Sequence, residues 1–334
     1  MAVLVTGGAG YIGSHMVLAL LEAGERAVVL DDLSTGVRAN LAAGTRLVEG
    51  SVADEALVAR LIAEERIEAV LHFAGSVVVP DSVADPLGYY ENNTIASHRL
   101  IRAAVRGGVR HFIFSSTAAV YGAPSAGTAA IGEDAPLAPI NPYGASKAMT
   151  ERMLADAGAA HGLSHACLRY FNVAGADPQG RTGQSTPNAT HLIKVAVQAA
   201  LGHRPRLEIF GTDYDTPDGT CIRDYIHVSD LAEAHLATLA HLRAGGAPAV
   251  FNCGYGRGHS VREVIAAVRR VSGLPLEPVE AARRPGDPPA LVAEAGRIRA
   301  ATGWTPRLAD LDTIVAHALA WERRLGAGAG AAAS

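Results

Sequence analysis

Tyr143 and Lys147 stand four residues apart in Tyr143-Gly144-Ala145-Ser146-Lys147, which is one turn apart on a single face if the segment is helical. A free phenol, with a pKa of ~10, is a poor base at neutral pH. A nearby ammonium favours the phenolate, and a positively charged nicotinamide ring would add to that effect. Such a pair can take a proton from an alcohol whose carbon gives up a hydride. A second group of residues suits the hydride acceptor. Thr6-Gly7-Gly8-Ala9-Gly10-Tyr11-Ile12-Gly13 follows an apolar run and precedes an amphipathic one. Glycines there let the chain turn tightly and bring backbone N–H groups and a helix N-terminus to a pyrophosphate. Asp31 lies 18 residues beyond Gly13, at the end of a second apolar run. A carboxylate in that place binds ribose hydroxyls and repels a 2′-phosphate, which favours NAD over NADP. Ser115-Ser116-Thr117 closes a later apolar run and supplies hydroxyls to the same end of the sheet.

These residues require a frame of parallel βαβ units, and the first half of the chain reads as one. Short apolar runs at 3–5, 27–30, 69–73, 111–114 and 166–168 alternate with helix-period segments. Met16, Val17, Leu20 and Leu21 share one helical face, with Gly24 placed to end the helix. Residues 54–66 and 90–106 are the next helices, and Asn141-Pro142 is an N-cap with proline at the first position, opening a helix to His161. Beyond Phe171 the rhythm changes. A polar loop at 175–187 precedes a helix at 192–201, a strand at 207–210, helices after Ser229 and Ser260, and a last helix at 309–325. The expected architecture is α/β, a Rossmann-type doubly wound parallel sheet with a smaller mixed α/β domain. Residues 1–172 form the NAD-binding domain, to which a segment near 220–250 returns. Residues 173–325 form the substrate domain, and the Gly/Ala-rich 326–334 is a flexible tail.

Of 334 residues, 49% are hydrophobic and 19% charged, which excludes disorder over most of the length. A formal net charge of −4 gives no sign of a nucleic-acid or anionic-membrane surface. Cys167, Cys221 and Cys253 form no CxxC pair, and the 13 histidines form neither HxH nor HExxH, so no metal is expected. No signal segment and no membrane-length apolar run is visible, so the expected location is cytoplasmic.

The glycine turn, His72-Phe73-Ala74-Gly75, Tyr89-Tyr90-Glu91-Asn92-Asn93, Ser115-Ser116-Thr117, the Tyr143/Lys147 pair, Arg169-Tyr170-Phe171-Asn172 and Gly219-Thr220-Cys221-Ile222-Arg223-Asp224-Tyr225 occur together in one chain. On these marks it resembles the extended short-chain dehydrogenase/reductase family, in its UDP-hexose 4-epimerase branch, from Val3 to about Trp304. The resemblance implies interconversion of UDP-galactose and UDP-glucose through a 4-keto sugar, with NAD tightly bound and regenerated in each cycle. Tyr143 would take the proton from the sugar 4-hydroxyl, Lys147 would hold the nicotinamide ribose and depress the tyrosine pKa, and Thr117 would bridge phenol and sugar. By the same resemblance NAD would meet Gly7, Gly10, Tyr11, Ile12 and Gly13, then Asp31, Asp32, Ser34 and Thr35. Further contacts would be Ser51, Val52, Phe73, Ala74, Gly75, Asn92, Ser115 and Phe171. The UDP-sugar would meet Asn172, His191, Leu192, Ile209 and Phe210, with Arg223 and Arg284 on the diphosphate, Asp287 on the uridine ribose and Leu291 at the sugar wall. Family members commonly pair through helices that correspond here to 90–106 and 142–161, so a homodimer is expected.

Four departures bear on these roles. Val77 stands where many members carry a cofactor-binding Lys, and Ser51-Val52 replaces an Asp-Ile pair. Thr190-His191-Leu192 replaces Asn-Asn-Leu, and Leu291 fills a wall position that varies with substrate size. Related dehydratases and decarboxylases carry acidic residues after the active-site Ser/Thr, where this chain has Ala118-Ala119. The remaining alternatives are a 4-epimerase of a UDP-N-acetylhexosamine or UDP-pentose, and a catalytically silent NAD-binding module. Without the resemblance, Arg283-Arg284-Pro285-Gly286-Asp287 reads as a solvated loop, and Asp224 as a partner for a neighbouring Arg.

Overall fold

The apolar runs of the first half are buried along both faces, as parallel strands between two helix layers must be. The computed structural model describes residues 1–123, 130–284 and 287–332. Six strands, β1 (Ala2–Thr6), β2 (Ala27–Asp31), β3 (Arg46–Glu49), β4 (Ile67–His72), β5 (His111–Thr117) and β6 (Ser164–Tyr170), come first. Among them lie α1 (Tyr11–Glu22), α2 (Glu55–Glu65), α3 (Val79–Ala84), α4 (Pro86–Tyr89), α5 (Ala96–Arg106) and α6 (Pro142–His161). Then come β7 (Asn172–Ala174), β8 (Leu207–Phe210), β9 (Ile222–His227), β10 (Ala249–Cys253), β11 (Gly258–Ser260), β12 (Pro278–Ala281) and β13 (Ala290–Leu291). The helices of this half are α7 (Leu192–Ala200), α8 (Val228–Arg243), α9 (Val261–Ser272), α10 (Gly296–Thr302) and α11 (Leu311–Ala332).

The main sheet is parallel throughout, in the order β10-β6-β5-β4-β1-β2-β3. Strand order reverses about β1 and β4, which opens a crevice at their carboxyl ends. Val3, Val5, Leu71 and Ile113 bury one face against Met16 and Leu20 of α1 and Leu231 of α8. Leu4, Val70, Phe112 and Phe114 bury the other against Val58, Leu100 and Leu154 of α2, α5 and α6. Residues 228–253 thus return to the first sheet: α8 lies beside α1, and β10 pairs with β6. A smaller layer holds β11-β9-β13, with β7 also on β9, and the parallel pair β12-β8. Its core is Ile193, Val197, Ile209, Val264, Val268 and Ile314, supplied largely by α7, α9 and α11.

Helix ends follow their capping residues. The Asn141 side chain accepts from Gly144 N at 2.9 Å, proline follows at the first position, and Gly162 stops α6 at φ 72°. Asp54 caps α2, and Ser260 with Glu263 closes a capping box on α9. Four expectations need correction. Leu21 is exposed, because the stripe between sheet and α8 is filled by Met16, Val17 and Leu20. Edge strand β3 escaped the apolar-run criterion, since both its end residues are charged and exposed. Residues Tyr90–Ile95 are π-helical rather than the start of α5, which turns Asn93 inward. The last helix runs past Leu325 to Ala332, in keeping with alanine's high helix propensity. The final two residues of the expected tail lie outside the described residues. No helix among those described is long and apolar enough to cross a membrane.

Several histidines are sealed in the core. His72 accepts from Thr6 Oγ1 at 2.7 Å and donates to Ser97 Oγ at 2.8 Å, because Ser97 itself donates to the Asn93 carbonyl. His15 and His235 each spend Nδ1–H on a carbonyl of the preceding turn, leaving a buried Nε2 without a partner. Burial holds these rings neutral, pulling His72 to about 3 and His15 and His235 to about 4. The unfolded chain, with imidazoles near ~6.5, binds more protons below that value, so this stability is complete above ~6.5 and is lost as pH falls toward the folded values. We predict that Tm falls between pH 7.5 and pH 5, by up to about 2 kcal/mol of stability per ring. Thermal melts in matched buffers test this, and an unchanged Tm would refute it.

Candidate active site

The first part of the site is the turn after β1. Gly7 sits at φ +68°, and a Cβ there would stand 2.6 Å from Ala74 N in the segment after β4. A Cβ on Gly13 would run into the Gly7 carbonyl. Only glycine lets the two crossing segments and the start of α1 meet this closely. Gly10 is the N-cap of α1 and offers no side-chain acceptor, so the first-turn N–H groups need another anion or water. Asp31, buried at the end of β2, accepts from Ala9 N at 2.9 Å and Leu33 N at 2.8 Å. Burial raises its pKa, and these two donors work against that shift. Asp32 accepts from the Ser34 amide and hydroxyl at 3.0 and 2.6 Å, next to Thr35. The Tyr11 hydroxyl donates to the Gly175 carbonyl at 2.7 Å, tying this turn to the segment after β7. Ile12 packs on the same core, whereas Val52 is buried on the far side of the sheet beside exposed Ser51.

The second part stands at the end of β5. Tyr143, Lys147 and Thr117 are all buried there. Lys147 Nζ donates to the Ser115 carbonyl at 3.1 Å and lies 4.8 Å from the Phe114 ring centre. Gly75, at φ +152°, brings the β4 segment alongside, where a Cβ would stand 3.8 Å from Lys147 Nζ. Phe73 packs on the His235 ring, and Asn92 donates to Ser76 Oγ at 2.8 Å. Burial lowers the Lys147 pKa to about 8, with Glu151 opposing the shift. Burial raises the Tyr143 phenol above its ordinary value, and a hydrogen bond with Thr117 pulls it back. The expected depression of the phenol by Lys147 is therefore not what the protein alone provides. The ammonium is spent on the Ser115 carbonyl, and dehydration of the phenol dominates.

A third group lies in the smaller layer. Arg223 on β9 donates to Asp287 Oδ1 at 3.1 Å, and Leu291 on β13 is its register partner. The Arg284 guanidinium stacks 3.8 Å from the centre of the Phe210 ring. Pro285 and Gly286 lie outside the described residues. Ile209, by contrast, points into the core of this layer. His191 precedes α7 with Nδ1 3.0 Å from Gln184 Nε2, and Leu192 begins the helix. Phe171 is buried where β6 ends, and Asn172 opens β7 in register with Tyr225. Among the described residues Asp224 pairs with no arginine; it accepts from the backbone N–H of Tyr255, Gly256 and Ala293.

Sequence reasoning missed the side-chain roles of Asn93, Tyr170 and Glu151 around this site. Asn93 donates to Ser146 Oγ at 3.1 Å and accepts from Ser76 N at 2.8 Å. Ser115 Oγ donates to the Tyr170 hydroxyl at 2.9 Å. Glu151 pairs with Arg169 in the core. Glu151 was findable, since it stands one further turn along the Tyr143/Lys147 face.

The profile described as the NAD dependent epimerase/dehydratase family matches residues 3–254. The UDP-glucose 4-epimerase of Azospirillum brasilense is 63% identical over 323 residues, covering 97% of this chain and 92% of that one. The crystal structure of UDP-glucose 4-epimerase from Brucella ovis in complex with NAD is 44% identical with a TM-score of 0.92, over 96% of this chain and 97% of that one. A UDP-glucose-4-epimerase from Stenotrophomonas maltophila, with bound NAD and formylated UDP-arabinopyranose, is 36% identical with a TM-score of 0.94, over 98% and 99% of the two chains.

Asp31→Ala orphans the Ala9 and Leu33 N–H groups, at about 1–3 kcal/mol for each donor left unpaired. We predict a lower midpoint in urea denaturation. A midpoint equal to that of the unaltered chain would mean that water replaces both bonds.

Proposed function

The chain belongs to the NAD dependent epimerase/dehydratase family, and on that premise we propose that it interconverts UDP-galactose and UDP-glucose by oxidising and re-reducing carbon 4 of the sugar. The observation that carries this reading is the buried set Thr117, Tyr143 and Lys147, gathered at the end of β5 beside Gly75. NAD fits the residues present. The turn at Gly7 and Gly13 tolerates no side chain, the start of α1 is uncapped, and a carboxylate ends β2. Gly7, Gly10, Tyr11, Ile12, Gly13 and Asp31 would hold it from below, and Gly75, Ser115 and Lys147 near the reacting carbon. When bound, NAD supplies the acceptor and donor of the C4 hydride.

The residues then divide the remaining work. Tyr143 takes the 4-hydroxyl proton as the carbon is oxidised and returns it on reduction, and Thr117 donates to the oxygen that carries the charge. Because burial keeps the phenol above its ordinary pKa, proton removal depends on cationic charge near it, from Lys147 and the oxidised ring together. The 4-keto sugar must present its other face before reduction, so the groups that anchor it have to grip the UDP end. Arg223 and Arg284 have the planar forks for a diphosphate. Asp287 suits the uridine ribose, with His191, Leu192 and Phe210 on the nucleotide side and Asn172 between nucleotide and sugar, while Ile209 stays in the core of that layer. Residues 1–172, with the return near 220–250, would serve NAD, and 173–325 the UDP-sugar. Leu291, beside Arg223, sets the size of the sugar wall, and the arabinopyranose bound to the Stenotrophomonas relative supports pentoses as a second substrate class.

A homodimer is supported by the apolar surface near the 90–106 and 142–161 helices. Val83 and Leu87 are 64% and 77% exposed on α3 and α4, which pack beside α6 and its exposed Met149. Light scattering should give twice the chain mass, and a monomer at micromolar concentration would reject the pairing. Cytoplasmic residence is supported by three free, buried thiols, and cell fractionation tests it.

Proton NMR of UDP-galactose with purified protein and no added NAD should show UDP-glucose growing to a constant ratio. Tyr143→Phe should slow this by roughly 10²–10⁴-fold while bound NAD is retained. No conversion by the unaltered chain, with NAD added, would reject the hexose reading and favour pentose or N-acetyl substrates. Nucleotide binding without turnover of any of them would indicate the silent module.

A further inference from the structure

Three consecutive residues at the end of β5 each engage one residue on the inner face of α6. Thr117 bonds Tyr143, the Ser115 carbonyl accepts from Lys147 Nζ, and Ser116 Oγ donates to Glu151 Oε1. Tyr143, Lys147 and Glu151 follow one another at four-residue steps, so all three lie along one side of the helix. Glu151 is 7% exposed and its partner Arg169 4%. The guanidinium donates from Nε to Oε1 at 3.0 Å and from Nη2 to Oε2 at 2.5 Å. Arg169 is held in turn by the Tyr121 hydroxyl at 3.0 Å, and Tyr121 donates to Asn252 Oδ1 at 2.7 Å.

No step of the proton transfer described above uses this pair. Stability is a weak account of it, because dehydrating two charges offsets most of their attraction. We propose that Glu151 is a positioning residue: its carboxylate, one turn beyond the ammonium, keeps Lys147 charged and aimed at the Ser115 carbonyl. The proposal rests on the reading of Tyr143 and Lys147 given under Proposed function.

The charged and titratable groups around Lys147 are few. Glu151 acts on it from α6, which also carries Tyr143 one turn earlier, and His72, held neutral by burial, from β4. The Phe114 ring meets it from β5, and Arg169 stands behind the carboxylate on β6. Glu151 is thus the one carboxylate acting on the ammonium among the described residues, and it opposes the burial that pulls Lys147 down to about 8. The ammonium is present below that pKa and lost as pH rises through it. Removing Glu151 brings the loss to lower pH.

The test is kcat/KM for UDP-galactose from pH 6 to 10 in the NAD-loaded protein and in Glu151→Gln, with Tm and bound NAD recorded alongside. Glutamine keeps the shape and the acceptor for Ser116. The double variant Glu151→Gln/Arg169→Met removes both charges, so that no guanidinium is left unpaired. Both variants should bring the alkaline limb down by about half a pH unit or more. An unmoved limb in a folded, NAD-loaded variant would overturn the proposal, even if turnover fell uniformly. Failure of both variants to fold would also overturn it, by assigning the pair to stability. No turnover by the unaltered chain would instead overturn the functional reading beneath it.

Discussion

A buried ammonium on the same helix face as the phenol is the constraint around which this molecule is arranged. Lys147 is 3% exposed, and a lone cation at that depth loses its charge unless dipoles and opposite charges replace water. The replacements come from different elements. The Ser115 carbonyl lies one residue past the last β4–β5 pair and accepts from Lys147, and the Phe114 ring face comes from the same strand. Glu151 comes from α6 itself. The Gly75 backbone closes the remaining side without bulk, since any Cβ would crowd Asn93. The axial position of α6 against β5 is therefore fixed by polar contacts as much as by Leu154 in the core.

The same burial sets a tension at Tyr143. Dehydration favours the protonated phenol, which is the wrong form for a base. Thr117 offsets this in part, since a hydroxyl donor stabilises the charged oxygen. The rest must come from positive charge that accompanies catalysis. A site that deprotonated its tyrosine permanently would hold the base ready at all times; with Tyr143 as the proposed base, this one would instead link proton removal to a cofactor pocket that is oxidised and occupied, the state in which hydride has somewhere to go.

Much of the frame was legible because single residues enforce it. Asn141-Pro142 suits a helix start, Gly162 its end, and the β1 and β4 runs are too apolar for an exposed place. Tyr143 and Lys147 declared themselves by spacing. Less legible was anything resting on one or two strand pairs between distant segments. β3 looks polar, since only its two middle residues are even partly covered. β7, β11 and β13 have three, three and two residues, too few for any periodicity to register. Asp224 reads as one half of an ion pair, yet three backbone amides from two later segments consume its carboxylate. Glu151 shows by spacing only that it shares the Tyr143/Lys147 face; its pairing with Arg169 carries no local signal, because the contact joins residues 18 positions apart in sequence.

Those short strands are what join the two halves of the site. Thr117 is the register partner of Tyr170, so the hydroxyl beside the phenol is fixed relative to the end of β6. One residue later Phe171 is buried, and after it Asn172 pairs with Tyr225 on β9. Two positions earlier on β9, Arg223 faces Leu291 and holds Asp287. A path of strand pairings and short stretches of chain thus runs from Thr117 to the guanidinium suited to a diphosphate. Strand registers shift only by whole residues, and each shift turns side chains to the opposite face. The distance between the anchoring end of the site and its reacting end is therefore held by the least deformable part of the fold. A sugar free to turn over between two half-reactions needs that fixed span, because its anchor alone must return carbon 4 to the same place.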